Sequence, residues 1–448
     1  MKRQKRAKLS SLQIIALGFF IIILAGTCLL MLPCATRLPG GASFGEALFT
    51  ATSATCVTGL VLRDTATYWS AFGQVVILLL IQTGGLGFMT IATLFLLLLR
   101  RRLGLRQREV VVDSVSYYQL GGLVPFIRRI FFGTLLAEGL GAALLSIRFV
   151  QDFGLGRGLY YGVWHAVSAF CNAGFDLMGA HSGEFSSFVA YGGDPLVSLT
   201  LMGLILVGGA GFLVWDDLAR NKLRWRRYRL QTKIVLFANL VLVAGGGLLF
   251  LLLERNNLGA GKPLGRQVLE ALFDAVTPRT AGFNTTDTAA LSSGSLLLTM
   301  VLMFIGGSPG STAGGVKTTT VAVILLHTVA GIRREQSANA FGRSIGDDAL
   351  KKATSVLFTN LFLALCGALA ICIIQPLPLT EVLFETFSAI GTVGMSTGVT
   401  RSLAPLSQAV VIFLMFCGRV GSISFAVALL EKKAQPPVTL PQERITIG

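Results

Sequence analysis

A fourfold internal repeat constrains this 448-residue chain more than any other feature. Each copy consists of an apolar run, a short amphipathic helix, a glycine in a polar loop and a second apolar run. The four glycines are Gly59, Gly174, Gly282 and Gly394, at intervals of 115, 108 and 112 residues. Because the helix before each glycine is too short to cross a bilayer, the pattern predicts four re-entrant loops that meet at one axis.

The composition indicates an integral membrane protein. Hydrophobic residues make up 53% of the chain and charged residues only 13%. Several apolar runs reach the roughly twenty residues that a helix needs to cross a hydrocarbon core about 30 Å thick. The apolar run at 12–32 follows a basic N-terminus but is too long for the core of a signal peptide, so we interpret it as a retained first span.

The net charge of +16 is distributed unevenly between the two sides of the predicted spans. The N-terminus, alternate loops and the tail hold 27 of the 38 lysines and arginines, whereas the opposite loops hold nine. This asymmetry follows the positive-inside rule and predicts a multi-pass protein of the cytoplasmic (inner) membrane with both termini in the cytoplasm. A nucleic-acid surface is excluded because no soluble domain is left to carry it.

The predicted architecture is an all-α integral membrane protein with four pseudo-symmetric helix/pore-loop/helix repeats, eight spans and four re-entrant pore helices around one central pore. The predicted spans are 12–33, 72–99, 123–149, 195–215, 233–253, 295–331 (broken), 353–375 and 406–430. The predicted re-entrant units are 43–60, 158–176, 267–284 and 379–397. The predicted repeats are 1–115, 116–228, 229–345 and 346–434, followed by a tail at 435–448.

Re-entrant loops in a membrane leave main-chain groups unpaired at a cost of several kcal/mol each, so they are tolerated only around a water-filled space. Their carbonyl groups can replace the hydration shell of an alkali cation. Glycine supplies the left-handed torsions that this requires, and the C-terminal end of each short helix favours a cation. The candidate ion ligands are the main-chain carbonyl groups of Val57, Thr58, Gly59, Asn172, Ala173, Gly174, Thr280, Ala281, Gly282, Thr392, Val393 and Gly394.

A single glycine of this kind is usually a turn or a close helix crossing, but four in matching context favour a filter. Ser53, Ser168 and Ser388 lie six residues before their glycines, and Thr277 lies five before Gly282. A hydroxyl at this position either anchors the helix to the loop backbone or is simply a small residue at a helix end.

Each second span carries a glycine-rich segment beyond the filter glycine. In the first two copies, Gly84–Gly87 and Gly208–Gly211, we expect close helix packing through small residues. In the third copy, glycines and polar residues continue over 306–320, which predicts a helix broken near mid-membrane and a flexible gate loop. The candidate gate residues are Gly306, Gly307, Ser308, Gly310, Ser311, Thr312, Gly314, Gly315, Lys317 and Arg419.

Arg419 replaces a glycine in the fourth copy. An ionised residue in a span marks an ion pathway by default, where its positive charge is an electrostatic barrier. The alternative is a structural ion pair with a buried carboxylate. Asp274, Arg279 and Glu385 lie in or beside the pore helices, where they either pair behind the filter or concentrate cations at its mouth.

These motifs together resemble the Ktr/Trk/HKT superfamily of potassium transporters. The resemblance spans about 13–431 and rests on V-T-G-L, N-A-G-F, T-P-R-T-A-G-F-N, F-S-A-I-G-T-V-G and the segment I-G-G-S-P-G-S-T-A-G-G-V-K-T-T-T. The chain is most similar to the membrane subunit of Ktr systems, KtrB. The resemblance implies that Gly59, Gly174, Gly282 and Gly394 are filter glycines, that 306–317 is an intramembrane loop obstructing the pore, and that K⁺ is coordinated by filter carbonyl groups.

The resemblance also implies partners and a function. It implies potassium uptake, a homodimer and a cytosolic nucleotide-binding regulatory ring like KtrA, with no cofactor bound by this chain and Na⁺ as an open candidate for activator. The alternatives are a proton- or sodium-coupled symporter of the Trk kind and a sodium-permeable transporter of the same fold. No motif brings together a nucleophile, a base and a group that orients the base, so we expect that the chain is not an enzyme. The sequence also lacks the regularly spaced arginines of a voltage sensor and the inverted repeats of many secondary transporters.

The filter assignment makes a prediction at Gly59. A serine at this first position marks sodium-preferring members of the family that the chain resembles. We therefore expect Gly59→Ser to raise sodium flux relative to potassium flux severalfold in reconstituted vesicles. An unchanged ion preference would contradict the filter assignment.

Overall fold

The computed structural model describes residues 10–98, 110–112, 122–222 and 224–421. The predicted tail at 435–448, the last part of the predicted span 406–430 and the first predicted repeat boundary, at 115/116, lie outside these residues. The described part of the chain is almost entirely helical. Its main helices are α1 (Ser11–Leu30), α2 (Phe44–Thr55), α3 (Ala71–Leu86), α4 (Phe88–Leu98), α5 (Leu123–Phe153), α6 (Leu155–Phe170), α7 (Pro195–Gly209), α8 (Phe212–Asn221), α9 (Leu230–Glu254), α10 (Leu264–Val276), α11 (Ser293–Phe304), α12 (Thr318–Ile332), α13 (Asp347–Ile374), α14 (Leu379–Gly391) and α15 (Pro405–Val420).

Short elements join the main helices. A single helical turn occupies Gly179–Ser182, and strands β1 (Ala338–Ala340) and β2 (Arg343–Ile345) form an antiparallel hairpin in which Asn339 pairs with Ser344. The remaining elements are 3-10 turns at Pro33–Ala35, Val189–Tyr191, Trp225–Arg227, Thr288–Ala290 and Val399–Ser402.

Four long helices, α1, α5, α9 and α13, are each long and apolar enough to cross a membrane, and each opens one predicted repeat. Large apolar side chains remain exposed along them, as at Phe132, Leu136 and Leu140 on α5. Their spacing of four residues places these side chains on one helix face. In a membrane, lipid covers such a face, which explains why a chain of this composition leaves it outside the core.

A short helix follows each long one. Helices α2, α6, α10 and α14 contain 12, 16, 13 and 13 residues, and each packs against the long helix before it. At about 1.5 Å per residue, such helices are too short to cross a membrane. Helix α2 begins with a capping box in which Ser43 and Glu46 satisfy each other's main-chain N–H groups.

The second spans differ from the prediction. We expected 72–99 and 195–215 to be continuous, but α3 and α4 meet at 94° and α7 and α8 meet at 95°. The third segment is broken as predicted, with 305–317 between α11 and α12. The cause is a glycine with positive φ at each bend, Gly87 (79°) and Gly211 (95°), which ends the helix. Gly421 has φ 92° at the matching place after α15.

Small-residue packing, predicted for the first two copies, is present in the structure together with the bends. A methyl group at Gly84, Gly208 or Gly418 would fall almost on a main-chain carbonyl oxygen. Those oxygens belong to Thr55, Phe170 and Ile390, which lie at or near the C-terminal ends of the pore helices α2, α6 and α14. In these three repeats, the second helix therefore packs directly against the C-terminal end of the pore helix.

This packing predicts a stability difference between two glycines of α7. Gly208→Ala would press a methyl group onto the Phe170 carbonyl, and we expect it to destabilise the protein by about 1–3 kcal/mol. Gly203, on the same helix, has no atom within 4 Å of the position where a Cβ would be. We expect Gly203→Ala to leave the melting temperature of the purified protein equal or slightly higher, and equal melting temperatures for the two variants would contradict the packing argument.

Candidate ion filter and the loop beneath it

The four repeat glycines meet in a closed ring. A methyl group added at Gly59 would lie 2.5 Å from the carbonyl oxygen of Ala173, the residue before the next glycine. The other three pairs follow the same rule and are Gly174 with Ala281, Gly282 with Val393 and Gly394 with Thr58. Each glycine thus contacts the next repeat, and the fourth contacts the first. A side chain at Gly59, such as the serine of Gly59→Ser, would therefore displace the ring itself.

Left-handed torsions recur at matching positions in all four loops. The glycines have φ of 95°, 69°, 82° and 90° in chain order. The second residue before each glycine also has positive φ, although it carries a side chain: Val57 (58°), Asn172 (57°), Thr280 (71°) and Thr392 (52°). Each such residue costs about 1–3 kcal/mol, and strain of this kind persists only where the surrounding structure enforces it. The same pair of left-handed positions therefore recurs in every loop of the ring.

Hydroxyl groups of the pore helices hold these strained loops. Ser53 Oγ accepts a hydrogen bond from the Gly59 N–H at 3.0 Å, and Ser388 Oγ accepts one from the Gly394 N–H at 3.1 Å. In the other two repeats, the hydroxyl groups donate to the carbonyl group after the glycine. These bonds are Ser168 Oγ to Phe175 O (2.7 Å) and Thr277 Oγ1 to Phe283 O (2.6 Å). The hydroxyl groups are therefore anchors and not merely small residues at a helix end.

A polar cavity opens on one side of the ring. It has a volume of about 70 Å³, and the four glycines form its floor, with Asp64, Asp176 and Arg401 on its walls. Arg401 stacks over the ring of Phe185 at 3.7 Å. A larger cavity beside it contains the ion pair between Arg63 and Glu46 (2.7 Å). Partial burial alone would raise the pKa of Glu46, but hydrogen bonds from Arg63 and Ser43 outweigh it and lower the pKa.

The loop 305–317 lies directly beneath the filter. Thr312 Oγ1 donates to the Phe170 carbonyl at 3.1 Å and lies 3.3 Å from Asn172 Oδ1. A methyl group at Gly306 would touch Thr280, and one at Gly314 would collide with Thr392. Three of the four left-handed filter residues therefore contact this loop.

The loop is tied to its neighbours by main-chain hydrogen bonds. Ser308 N donates to Gly209 O at 3.0 Å, Phe212 N donates to Gly310 O at 2.8 Å, and Thr318 N donates to Gly307 O at 3.0 Å. Lys317 Nζ donates to the carbonyl groups of Ala313 and Gly314 at 2.7 and 3.1 Å. In this conformation the loop is held at the bend between α7 and α8, and the flexibility that the sequence indicates stays a prediction.

Arg419 joins the loop to the first and fourth repeats. Its guanidinium donates to the carbonyl groups of Thr312 and Gly84, and to that of Gly85 at 3.1 Å. Among the described residues, it contacts no carboxylate, so the alternative of a buried ion pair is not observed. Arg419 and Lys317 both line a cavity of about 270 Å³ below the loop, together with Gly310, Ser311 and Gly315. Two basic side chains thus line this cavity.

The remaining predicted charges lie behind the filter. Asp274 and Glu385 are buried and accept hydrogen bonds from hydroxyl groups, from Thr286 to Asp274 and from Ser396 and Thr400 to Glu385. Arg279 is also buried, and its Nε and Nη1 have no hydrogen-bond partner within the described part of the chain. The predicted pairing of Arg279 with either carboxylate is therefore not observed.

Comparison with known proteins decides the family. The family model TrkH, described as a cation transport protein, matches residues 18–437. The chain belongs to the TrkH family of cation transport proteins.

Individual members of the family are similar over nearly the whole chain. The potassium/sodium uptake protein NtpJ of Enterococcus hirae is 38% identical over 100% of this chain and 99% of its own length. The Ktr system potassium uptake protein B of Bacillus subtilis is 39% identical over 97% of this chain and 96% of its own. The crystal structure of the potassium transporter TrkH from Vibrio parahaemolyticus superposes with a TM-score of 0.75 at 17% identity, covering 96% of this chain and 86% of that one.

These findings confirm the predicted superfamily and the similarity to KtrB, and they confirm a helical membrane transport fold rather than an enzyme. The family and the apolar helices together establish a multi-pass membrane protein. Sequence reasoning missed the left-handed torsions of Val57, Asn172, Thr280 and Thr392. The one available signal was their fixed place two residues before each glycine.

The contacts of Arg419 lead to a prediction about flux. Arg419→Ala removes a positive charge from the inner cavity and the bond that holds the Thr312 carbonyl. We expect passive cation flux through reconstituted protein to rise by roughly tenfold, which corresponds to about 1.4 kcal/mol of barrier. Arg333→Ala, at the exposed end of α12, is the control and should leave flux unchanged. If the flux through Arg419→Ala and the block of that flux equal those of wild type, Arg419 is not part of the gate.

Proposed function

We propose that this chain is the pore-forming subunit of a Ktr-type potassium uptake system, carrying K⁺ across the cytoplasmic membrane through one pore lined by four loops. The ring in which each glycine meets the carbonyl group of the next repeat carries this proposal. Carbonyl groups at the ring can replace the water that a potassium ion loses on entry. The names of the two relatives, a potassium/sodium uptake protein and a Ktr system potassium uptake protein, support the same substrate.

In this proposal, K⁺ is bound by the main-chain carbonyl groups of the filter triplets 57–59, 172–174, 280–282 and 392–394. The loop 306–317 and Arg419 form one gate below them. The contacts from Thr312 to Asn172 and from Arg419 to Thr312 support a gate that couples the inner cavity to the filter. The ion pathway would open when the loop leaves the filter and Arg419 releases its carbonyl partners.

The proposal includes the orientation of the subunit in the membrane and its partners. Both termini lie in the cytoplasm, which the positive-inside asymmetry supports. The subunit forms a homodimer and binds a cytosolic nucleotide-binding ring. The name of the Ktr system protein supports the existence of further components, since it describes one protein of a system. The name of the Enterococcus relative also favours a second candidate, a transporter in which sodium is carried or activates uptake.

Potassium uptake into reconstituted vesicles tests the proposed function. We expect uptake of ⁸⁶Rb⁺, a tracer for K⁺, down its own gradient in protein-containing vesicles and not in protein-free ones. Removing the sodium gradient and the proton gradient in turn separates channel-like flux from coupled transport. Failure of the protein to carry ⁸⁶Rb⁺ or K⁺ in all of these conditions, and to restore growth of a potassium-uptake mutant, would contradict the proposal.

A further inference from the structure

Three of the four pore helices carry an ionisable side chain at one matching position, where the first pore helix has Thr50. His165 and Glu385 lie nine residues before Gly174 and Gly394, and Asp274 lies eight residues before Gly282. The third repeat is shorter by one residue here, as the place of Thr277 relative to Gly282 also shows. All three side chains are buried. Buried polar groups are costly unless they are hydrogen-bonded, so their partners indicate what they do.

His165 bonds to the main chain beyond its filter glycine. Its Nε2 lies 2.9 Å from the Leu177 nitrogen, and its Nδ1 lies 2.7 Å from the Tyr161 carbonyl oxygen. The Leu177 N–H can only donate and the Tyr161 carbonyl can only accept. Nε2 is therefore the acceptor and Nδ1 carries the hydrogen, which fixes His165 as a neutral ring in one tautomer.

The two carboxylates make equivalent contacts with hydroxyl groups. Thr286 Oγ1 lies 2.9 and 3.1 Å from the two carboxylate oxygens of Asp274. Thr400 Oγ1 donates to Glu385 at 2.7 Å, and the Ser396 hydroxyl donates to the other oxygen of Glu385. In each case the partner lies two to six residues after the filter glycine. One imidazole and two carboxyl groups thus perform one task in three repeats, which is to hold the segment that leaves the filter.

The segments held in this way form the outer rim of the filter. Asp176, Asn284, Ser396 and Thr400 lie on these segments and line the cavity whose floor is the glycine ring. His165, Asp274 and Glu385 are not among the described residues that line it. They therefore act through the rim and not on an ion. The serine and threonine anchors hold the filter glycines or the residues directly after them, and these three residues hold the segment that follows.

We propose that His165, Asp274 and Glu385 are positioning residues that fix the outer rim of the filter and thereby set its preference for potassium over sodium. The inference rests on the proposed function. A rim that can contract coordinates the smaller sodium ion more easily, whereas a rim fixed from behind keeps the wider spacing. Loss of one buried bond leaves a hydroxyl or N–H group unsatisfied and releases its segment.

Variants of Glu385 test the inference most sharply. Glu385→Leu removes both acceptor oxygens, and we expect the ratio of potassium to sodium flux to fall roughly tenfold, because two buried hydroxyl groups lose their acceptor. Glu385→Gln keeps one oxygen for the Thr400 hydroxyl and a polar group for Ser396, and we expect a ratio within about threefold of wild type. Glu381→Leu, in the partly exposed first turn of the same helix, is the matched control and should match wild type.

A double-mutant cycle separates positioning from general loss of structure. Thr400→Val removes the donor with little change in volume, so it should lower the flux ratio by itself. If Glu385 acts through Thr400, the double variant Glu385→Leu/Thr400→Val should lose less than the product of the two single effects. Thr400→Val also provides the test if Glu385→Leu fails to elute as a folded protein in size-exclusion chromatography.

The outcomes distinguish this inference from the proposed function. Wild-type protein that carries no potassium would contradict the proposed function itself. Selective wild-type protein together with a folded Glu385→Leu that keeps the wild-type ratio would overturn the inference alone. Losses that multiply independently in the double variant, or a Thr400→Val variant with the wild-type ratio, would overturn it as well.

Discussion

The cost of keeping strained main chain inside a membrane is the constraint on which this structure depends. Eight residues at the ring have left-handed torsions, and four of them are not glycine. Isolated loops of this kind would relax, because neither lipid nor a local helix would satisfy their polar groups. The pore helices solve this problem by placing a hydroxyl group beneath each loop. The long helix before each pore helix and the helix after it pack against that pore helix.

The glycines of the second helices show how that support is built. Gly84, Gly208 and Gly418 let a helix approach within contact distance of carbonyl groups at the end of a pore helix. The same segments then bend at Gly87 and Gly211, and this exposes main-chain groups below the filter. The loop 305–317 uses the exposed groups, since Ser308 and Thr312 bond to Gly209 and Gly208. The close packing of the second helices, the bends that follow it and the attachment of the loop thus depend on one another.

Much of this architecture could be predicted from the sequence because the glycine of each repeat lies in a matching sequence context. The four ring glycines, the broken third segment and the placement of Arg419 near the loop follow from residue type and spacing alone. The bends at Gly87 and Gly211 could not be predicted, since small residues are equally suited to straight helices that pack closely. The partners of Asp274 and Glu385 were also beyond reach, because Thr286 and Thr400 become partners only after the loops fold back.

Direct observation of ions in the ring tests the central claim most directly. Crystals of the protein soaked in rubidium, measured at the rubidium absorption edge, would locate the ions by anomalous scattering. We expect a peak on the axis, surrounded by the carbonyl oxygens of Thr58, Ala173, Ala281 and Val393. Rubidium peaks found only elsewhere, with none between these oxygens, would contradict it.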